Sequence, residues 1–268
     1  MEPGTEVRSL ELVRDGRVRI ERREALALIT MNRPEKRNAL DRHQIEALEE
    51  AVEWLISADG IRAAVLTGDA RAFSAGGDIE MFEGIGPDNA LAFTRRGYDL
   101  LRPLETSERV VVAAVNGYCL AGGLEVALAC DFIIAGEGAR FGFGEVDLGL
   151  IPGWGGTVRL ARGVSPRLAR QWTLTSEQVS AARAAEVGIV NEVVADDEVL
   201  ERALEVAERI SRQPPRAVVA AKTVIHASLD SNIDAALAAE GAAAAALFGT
   251  TDVRSRVEAW VNGNGGGS

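Results

Sequence analysis

One stretch, residues 110–160, constrains this chain more than any other. Residues 110–115 (VVVAAV) are an unbroken apolar run rich in β-branched side chains, which reads as a buried strand. Gly117 and the pair Gly122 and Gly123 end the pattern. Leu124, Ala127 and Leu128 then fall at helical spacing, so a short helix is expected at or just after Gly122. Its first amides have no partner inside the helix, and its dipole favours negative charge at that end, where Glu125 lies. Residues 131–135 read as a second buried strand. Glu145 lies in a glycine-rich loop, and Gly153, Gly155 and Gly156 open another helix. Free amides and two acids thus collect in one glycine-bordered region, which suits chemistry in which an oxygen becomes negative while protons move.

The flanking sequence repeats this rhythm more loosely. Residues 1–20 are charged and weakly patterned, with Val18 and Ile20 hinting at a first strand; 25–30 is a better one. Pro34 forces an extended or turn conformation on NRPEKRNAL. Asp41 suits the N-cap of a helix whose stripe Ile45, Leu48, Val52, Leu55 and Ile56 packs on a sheet. Residues 63–67 are the next buried strand, AFSAGGDIEMF is a glycine-bearing turn, and 89–104 is helical, with Leu91, Tyr98, Leu101 and Leu104 as core positions. Strand, strand, helix and glycine loop recur near 25–56, 63–104 and 110–128 with little shared identity. That order points to a layered α/β core built of repeated units.

After residue 157 the chain turns helical over 157–172, 180–187, 196–212, 214–228 and 233–248, with one last strand at 188–194. The alanine-rich 233–248 suits close packing, either on a neighbouring subunit or on its own core. The expected organisation is a core over 1–195, a helical region over 196–262 and a low-complexity, flexible tail over 263–268.

Composition matters mainly for what it excludes. The 268 residues are 47% hydrophobic and 26% charged, as in a soluble globular protein of one large domain or two small ones. A net charge of −11 argues against general nucleic-acid binding, which needs a basic surface to displace counterions. An anionic ligand then requires a local cluster of lysine and arginine. Cys119 and Cys130 lie in apolar runs and are expected as buried, reduced thiols, since two cysteines make no disulfide framework. No apolar run reaches the ~18 residues of a membrane span. The first residues lack the apolar segment of a signal peptide, so the cytoplasm is the expected location.

Gly76 and Gly77, like Gly122 and Gly123, sit where an apolar strand has just ended. Amides from two such loops can converge on one oxygen, each donor being worth ~3 kcal/mol to an oxyanion in a dry site. The bland alternative is that these glycines only make turns. Glu125 is the only charge between Arg109 and Asp131, and burying an isolated carboxylate is costly without a purpose or a partner. It serves either chemistry or a helix N-terminus. Glu145, between FGFG and an apolar VDLGLIP, would have its pKa raised by desolvation toward the range useful for proton transfer; otherwise it pairs with Arg140 or Arg159. Asp131 and Asp147 read as structural acids. His43 and His226 lack metal-ligand spacing, Ser74 lacks a nucleophile elbow, and GEGARFG departs from a dinucleotide loop.

FSAGGDI, NGYCLAGGLEVALACD, FGFGEVDLGLIPGWGGT and NRPEKRNAL, in their order and spacing, together resemble the enoyl-CoA hydratase/isomerase (crotonase) superfamily over roughly residues 18–250. The resemblance implies a crotonase-like spiral of β-β-α repeats with a C-terminal helical region used in trimerisation, as a homotrimer or a hexamer of two trimers. It implies that the amides of Gly77 and Gly122 form an oxyanion hole for an acyl-CoA thioester. Glu125 would activate water for attack at C3 and Glu145 would deliver the proton to C2. Coenzyme A would enter as part of the substrate, along NRPEKRNAL and 73–75, with Lys36 or Arg37 near its phosphates. Ala39, Phe73, Ala75, Gly76, Asp78 and Ile79 would line its path. No metal or redox cofactor is implied, and neither nucleic acid nor membrane is a partner.

The expected reaction is hydration of a 2-trans-enoyl-CoA. The alternatives are a 3-enoyl to 2-enoyl isomerase, another enolate-forming lyase, or a non-catalytic binding relative. Two departures stand out. The C-terminal end WVNGNGGGS carries no basic residue to meet a neighbour's CoA phosphate. Trp154 occupies a position where a small residue is common, and it either shapes the acyl pocket or packs.

Overall fold

The structure, a computed structural model, describes residues 9–263. The expected tail falls outside them except for Gly263, and so do the first eight residues. The chain divides into two compact units, one ending at Arg209 and the other beginning at Ile210.

The first unit begins with an antiparallel meander, β1 (Ser9–Val13), β2 (Val18–Arg23) and β3 (Leu26–Met31). Then come α1 (Arg42–Ser57), β4 (Ala63–Thr67), β5 (Ala72–Ser74), α2 (Pro87–Thr106), β6 (Val110–Val115), β7 (Tyr118–Leu120) and α3 (Gly122–Leu128). The next elements are β8 (Phe132–Gly136), β9 (Arg140–Gly142), α4 (Gly156–Gly163), α5 (Pro166–Leu174), β10 (Val179–Ser180), α6 (Ala181–Glu186) and β11 (Glu192–Val194). Helix α7 (Val199–Ser211) runs across the division between the units.

Two sheets carry the first unit. The larger has the order β1-β2-β3-β4-β6-β8-β11 and is parallel from β3 onward; the smaller has the order β10-β9-β7-β5. All six residues of β6 are buried, and so are the first four of β4. Parallel strands covered on both faces need this kind of continuous apolar run. Asp41 caps α1, its carboxylate accepting from the Gln44 amide at 2.7 Å, as its position before the apolar stripe led one to expect.

The topology places the site. Strands β4, β6 and β8 lie side by side in the large sheet, and each is followed within a few residues by β5, β7 or β9 in the small one. Because β7 pairs with β5 on one side and β9 on the other, three segments far apart in sequence emerge as neighbours. They are the glycine turn after Ser74, the start of α3 at Gly122, and the loop carrying Glu145.

Several expectations need correction. Ile56, Leu91 and Tyr98 are exposed, at 39%, 56% and 46% of full accessibility, rather than in the core. The buried face of α2 is Gly97, Leu100, Leu101 and Leu104. The single helix expected over 157–172 is two, because Ser165 caps a new helix with Pro166 at its first position. The last strand is only Glu192–Val194.

The second unit is helical: α8 (Pro215–Ser228), α9 (Ile233–Phe248) and α10 (Thr251–Val261), of which α10 was not anticipated. None of the three has a buried residue, and Ile233, Leu237, Phe248 and Trp260 are among their exposed apolar side chains. Among the described residues no single helix is long and apolar enough to cross a membrane; α9 and α10 reach that only taken together, bent by 73°.

Candidate active site

The turn after β5 is built by side chains that satisfy a buried backbone. Ser74 donates to the Asn38 carbonyl at 2.8 Å and accepts from the Gly76 amide at 3.1 Å. The Asn38 side chain accepts from the Arg33 amide and donates to the Ala72 carbonyl. Leu40 bridges the turn from outside: its amide donates to the Gly76 carbonyl at 2.8 Å and its carbonyl accepts from the Asp78 amide at 3.1 Å. Arg33, 9% exposed, donates to Asp78 at 2.7 Å and to the Ala39 carbonyl, and pairs with Asp41 at 3.2 Å. That pairing with Arg33 holds the Asp78 carboxyl below its usual range. Segment 33–41 thereby clamps 74–78.

Gly76 has φ +92°, and a Cβ there would lie 2.6 Å from the Ala121 Cβ and 3.3 Å from the Gly122 amide nitrogen. Only glycine lets the two loops approach this closely. A Cβ on Gly122 would in turn lie 3.7 Å from the Gly77 nitrogen, so these two amides share one small volume. Ala121 holds φ 48° and ψ −125°, a strained conformation for a residue with a side chain, and it fixes the direction of the next amide. Neither the Gly77 nor the Gly122 amide donates a hydrogen bond among the described residues. Two free donors in one small volume could hold a negative oxygen.

Glu125 lies in the first turn of α3, only 2% exposed. One oxygen accepts from the amides of Trp154 and Gly156, each at 2.7 Å. Burial pushes its carboxyl up to about 7; the Gly156 amide opposes this, the Glu145 carboxylate adds to it, and the Trp154 amide and Arg159 oppose it further. Burial also pushes Glu145 up to about 7, against the backbone amides of Glu145 and Gly144. The cation partners considered for Glu145 are engaged elsewhere. Arg159 pairs with Glu105, and Arg140 donates to the Gly138 and Ala139 carbonyls.

A cavity of about 780 Å³ joins these groups. Gly77, Gly122, Glu125 and Glu145 line it together, with Ala75, Ile79 and Trp154. Lys36, Arg37, Ala39, Gly76 and Asp78 are not in its lining; Lys36 pairs with Glu80 at 3.3 Å, and Arg37 stacks over Tyr118 at 5.2 Å from the ring centre. Phe73 requires correction: it is fully buried in the core, because β5 turns that side chain inward, and it has no surface to offer a ligand. Trp154 both packs and lines the cavity. It is 3% exposed, its ring centre is 5.3 Å from that of Phe93, and a Cβ on Gly97 would run into its indole.

Sequence reasoning missed the wall that α2 supplies through Ala90, Phe93 and Thr94, and the contribution of Ser176 and Gln178. Their spacing at i, i+3 and i+4 was a signal, but it competed with the α2 core face one step round the helix. Asp131 is structural as expected, accepting from the Val111 amide at 2.8 Å.

Comparison with known proteins follows the same line. The family model for enoyl-CoA hydratase/isomerase matches residues 21–263. A protein of Escherichia coli (strain K12) named 2,3-dehydroadipyl-CoA hydratase is 37% identical, the match covering 90% of this chain and 94% of that one. A short-chain-enoyl-CoA hydratase of Clostridium acetobutylicum is 36% identical over 90% and 93% of the two chains. Among solved structures, an enoyl-CoA hydratase subunit from Geobacillus kaustophilus superposes with a TM-score of 0.88 at 34% identity, covering 94% of this chain and 96% of its own.

Proposed function

The chain belongs to the enoyl-CoA hydratase/isomerase family, and from that membership we propose that it adds water reversibly to a 2-trans-enoyl-CoA, giving a 3-hydroxyacyl-CoA. The observation that carries this reading is the convergence of two unspent amides and two carboxyls raised toward neutrality on one cavity. In the forward direction ionised Glu125 takes a proton from water as the oxygen bonds to C3. The thioester oxygen gathers the displaced electron pair between the amides of Gly77 and Gly122. Protonated Glu145 then gives its proton to C2 as the carbonyl re-forms. The two acids end with exchanged protonation and are reset through solvent. Hydration needs one acid ionised and one protonated, and two coupled carboxyls with raised pKa values suit that division near neutral pH. An isomerase needs only one acid, so the pair supports hydration.

No metal or redox group has a role in this scheme, and coenzyme A is part of the substrate. In this reading Lys36 and Arg37 meet the CoA phosphates at the rim, and the alternation between the two sheets is the family's spiral of β-β-α turns. The exposed apolar side chains of α9 and α10 support self-association as a trimer or a hexamer, with the cytoplasm as the location. A panel of enoyl-CoA and 3-enoyl-CoA thioesters tests the activity, and light scattering tests the assembly. We expect turnover of crotonyl-CoA to the 3-hydroxy product and a mass near three or six times 28.4 kDa. Consumption of 3-enoyl thioesters alone would sink the hydratase reading.

A further inference from the structure

The turn that holds Glu125 is itself held from behind. The Arg159 guanidinium donates to the Trp154 carbonyl at 2.7 Å, at the residue whose amide binds Glu125. Its remaining fork is bidentate to Glu105 of α2, with both contacts at 2.9 Å. Both partners are sheltered, at 13% and 18% side-chain exposure, and Arg102 reinforces Glu105 at 3.6 Å. Gly155 is left without a side chain where the guanidinium passes: its φ is +100°, and a Cβ there would collide with Arg159. The Arg159 amide also donates to the Gly155 carbonyl at 2.8 Å, so side chain and backbone grip the same turn. Paired, planar, buried arginine–carboxylate contacts fix geometry better than any single hydrogen bond.

We propose that Arg159, backed by Glu105, is a positioning residue for Glu125: it fixes the 154–156 turn whose two amides hold that carboxylate and places a positive charge behind it. Only the activity readout of this assignment rests on the hydratase reading. Glu125 has few other charges to answer to. Across the cavity stand Glu145 and Asp147. Helix α4 adds Arg162 beside Arg159, β7 brings Tyr118 and Cys119, and β5 brings no ionisable side chain. Removing the Arg159 charge leaves the carboxylates at 105 and 125 without the guanidinium beside them.

The test compares Arg159→Met, Arg159→Lys and Glu105→Gln with the parent. Crotonyl-CoA kinetics run across pH are read together with the Glu125 carboxyl titration, followed by carbon NMR of glutamate-labelled protein and assigned with Glu125→Gln. Arg159→Met is expected to lower kcat at least tenfold with KM changed less than threefold, and to raise the Glu125 titration by about one pH unit. The acid limb of the rate profile should follow it upward. Arg159→Lys should restore the position of the limb, since it keeps the charge, but not the full kcat, since it lacks the fork. Glu105→Gln should fall between. Parent-like kcat and titration in folded Arg159→Met would overturn the proposal, as would a loss of melting temperature alone. A parent protein that hydrates nothing, with the titration shift still seen on Arg159→Met, would overturn the hydratase reading and uphold this one.

Discussion

Glu125 shows what a single residue contributes, because the burial that raises its carboxyl also destabilises the fold. An ordinary glutamate ionises at about 4.5, and burial pushes this one up to about 7. Between those values the native state keeps a proton that the unfolded chain has released. Stability therefore falls as pH rises through that window, and the loss is complete above about 7. Glutamine cannot ionise, and its oxygen still accepts from the Trp154 and Gly156 amides. Glu125→Gln is thus expected to gain stability over the parent at pH 8 relative to pH 5, by roughly 1–3 kcal/mol. Its hydration rate should fall by roughly 100- to 10,000-fold, the usual cost of losing a positioned acid–base group. Urea denaturation at the two pH values, with crotonyl-CoA turnover beside it, checks both halves. A variant with parent-like turnover would remove Glu125 from the chemistry.

Elements matter here by how closely they approach. Helix α2 reaches the turn 153–156 because Gly97 leaves room for the Trp154 indole, and that indole packs on Phe93 in the cavity wall. Gly97→Val fills the indole's place in a packed interior, and overpacking of this kind costs about 1–3 kcal/mol. Displacing the ring also shifts the Trp154 amide, so kcat should fall with little change in overall helicity. Thermal melting and crotonyl-CoA kinetics on the variant test this, and unchanged kcat would separate α2 from the site. The long elements were legible in the sequence because each carries its own period: β4 and β6 as apolar runs, α1 as a capped stripe, α3 as an isolated acid after paired glycines. Strands β5, β7, β9 and β10 were not, since two or three residues hold no pattern, yet their pairing brings the site segments together. Arg159 was recognised as a partner for an acid, but Glu145 was considered in place of Glu105. Charge says that a partner exists, and only the fold, which brings Arg159 of α4 to Glu105 of α2, decides which.

At the scale of the whole molecule, charge decides which substrates fit. The chain carries 40 acidic and 29 basic residues, and among the described residues no basic one lines the cavity. Its lining has three acids, Glu125, Glu145 and Asp147, set among apolar side chains such as Phe82, Ile85 and Phe93. An acyl chain ending in a methyl group gains by entering such a space. A chain ending in a carboxylate must leave water, meets no cation among the described residues in return, and adds an acid to a lining that already holds three. Burying an unpaired charge costs several kcal/mol. The kcat/KM for an enoyl-CoA with an apolar acyl end should therefore exceed that for one of equal length ending in a carboxylate by about 100-fold or more. The gap should narrow as pH falls toward the terminal acid's own pKa, because the neutral form enters without penalty. Competition between the two thioesters at pH 5.5 and pH 8 measures both effects. Equal rates at pH 8 would mean that a cation reaches the acyl end from outside the lining, and a second copy of the chain would then be the first place to look for it.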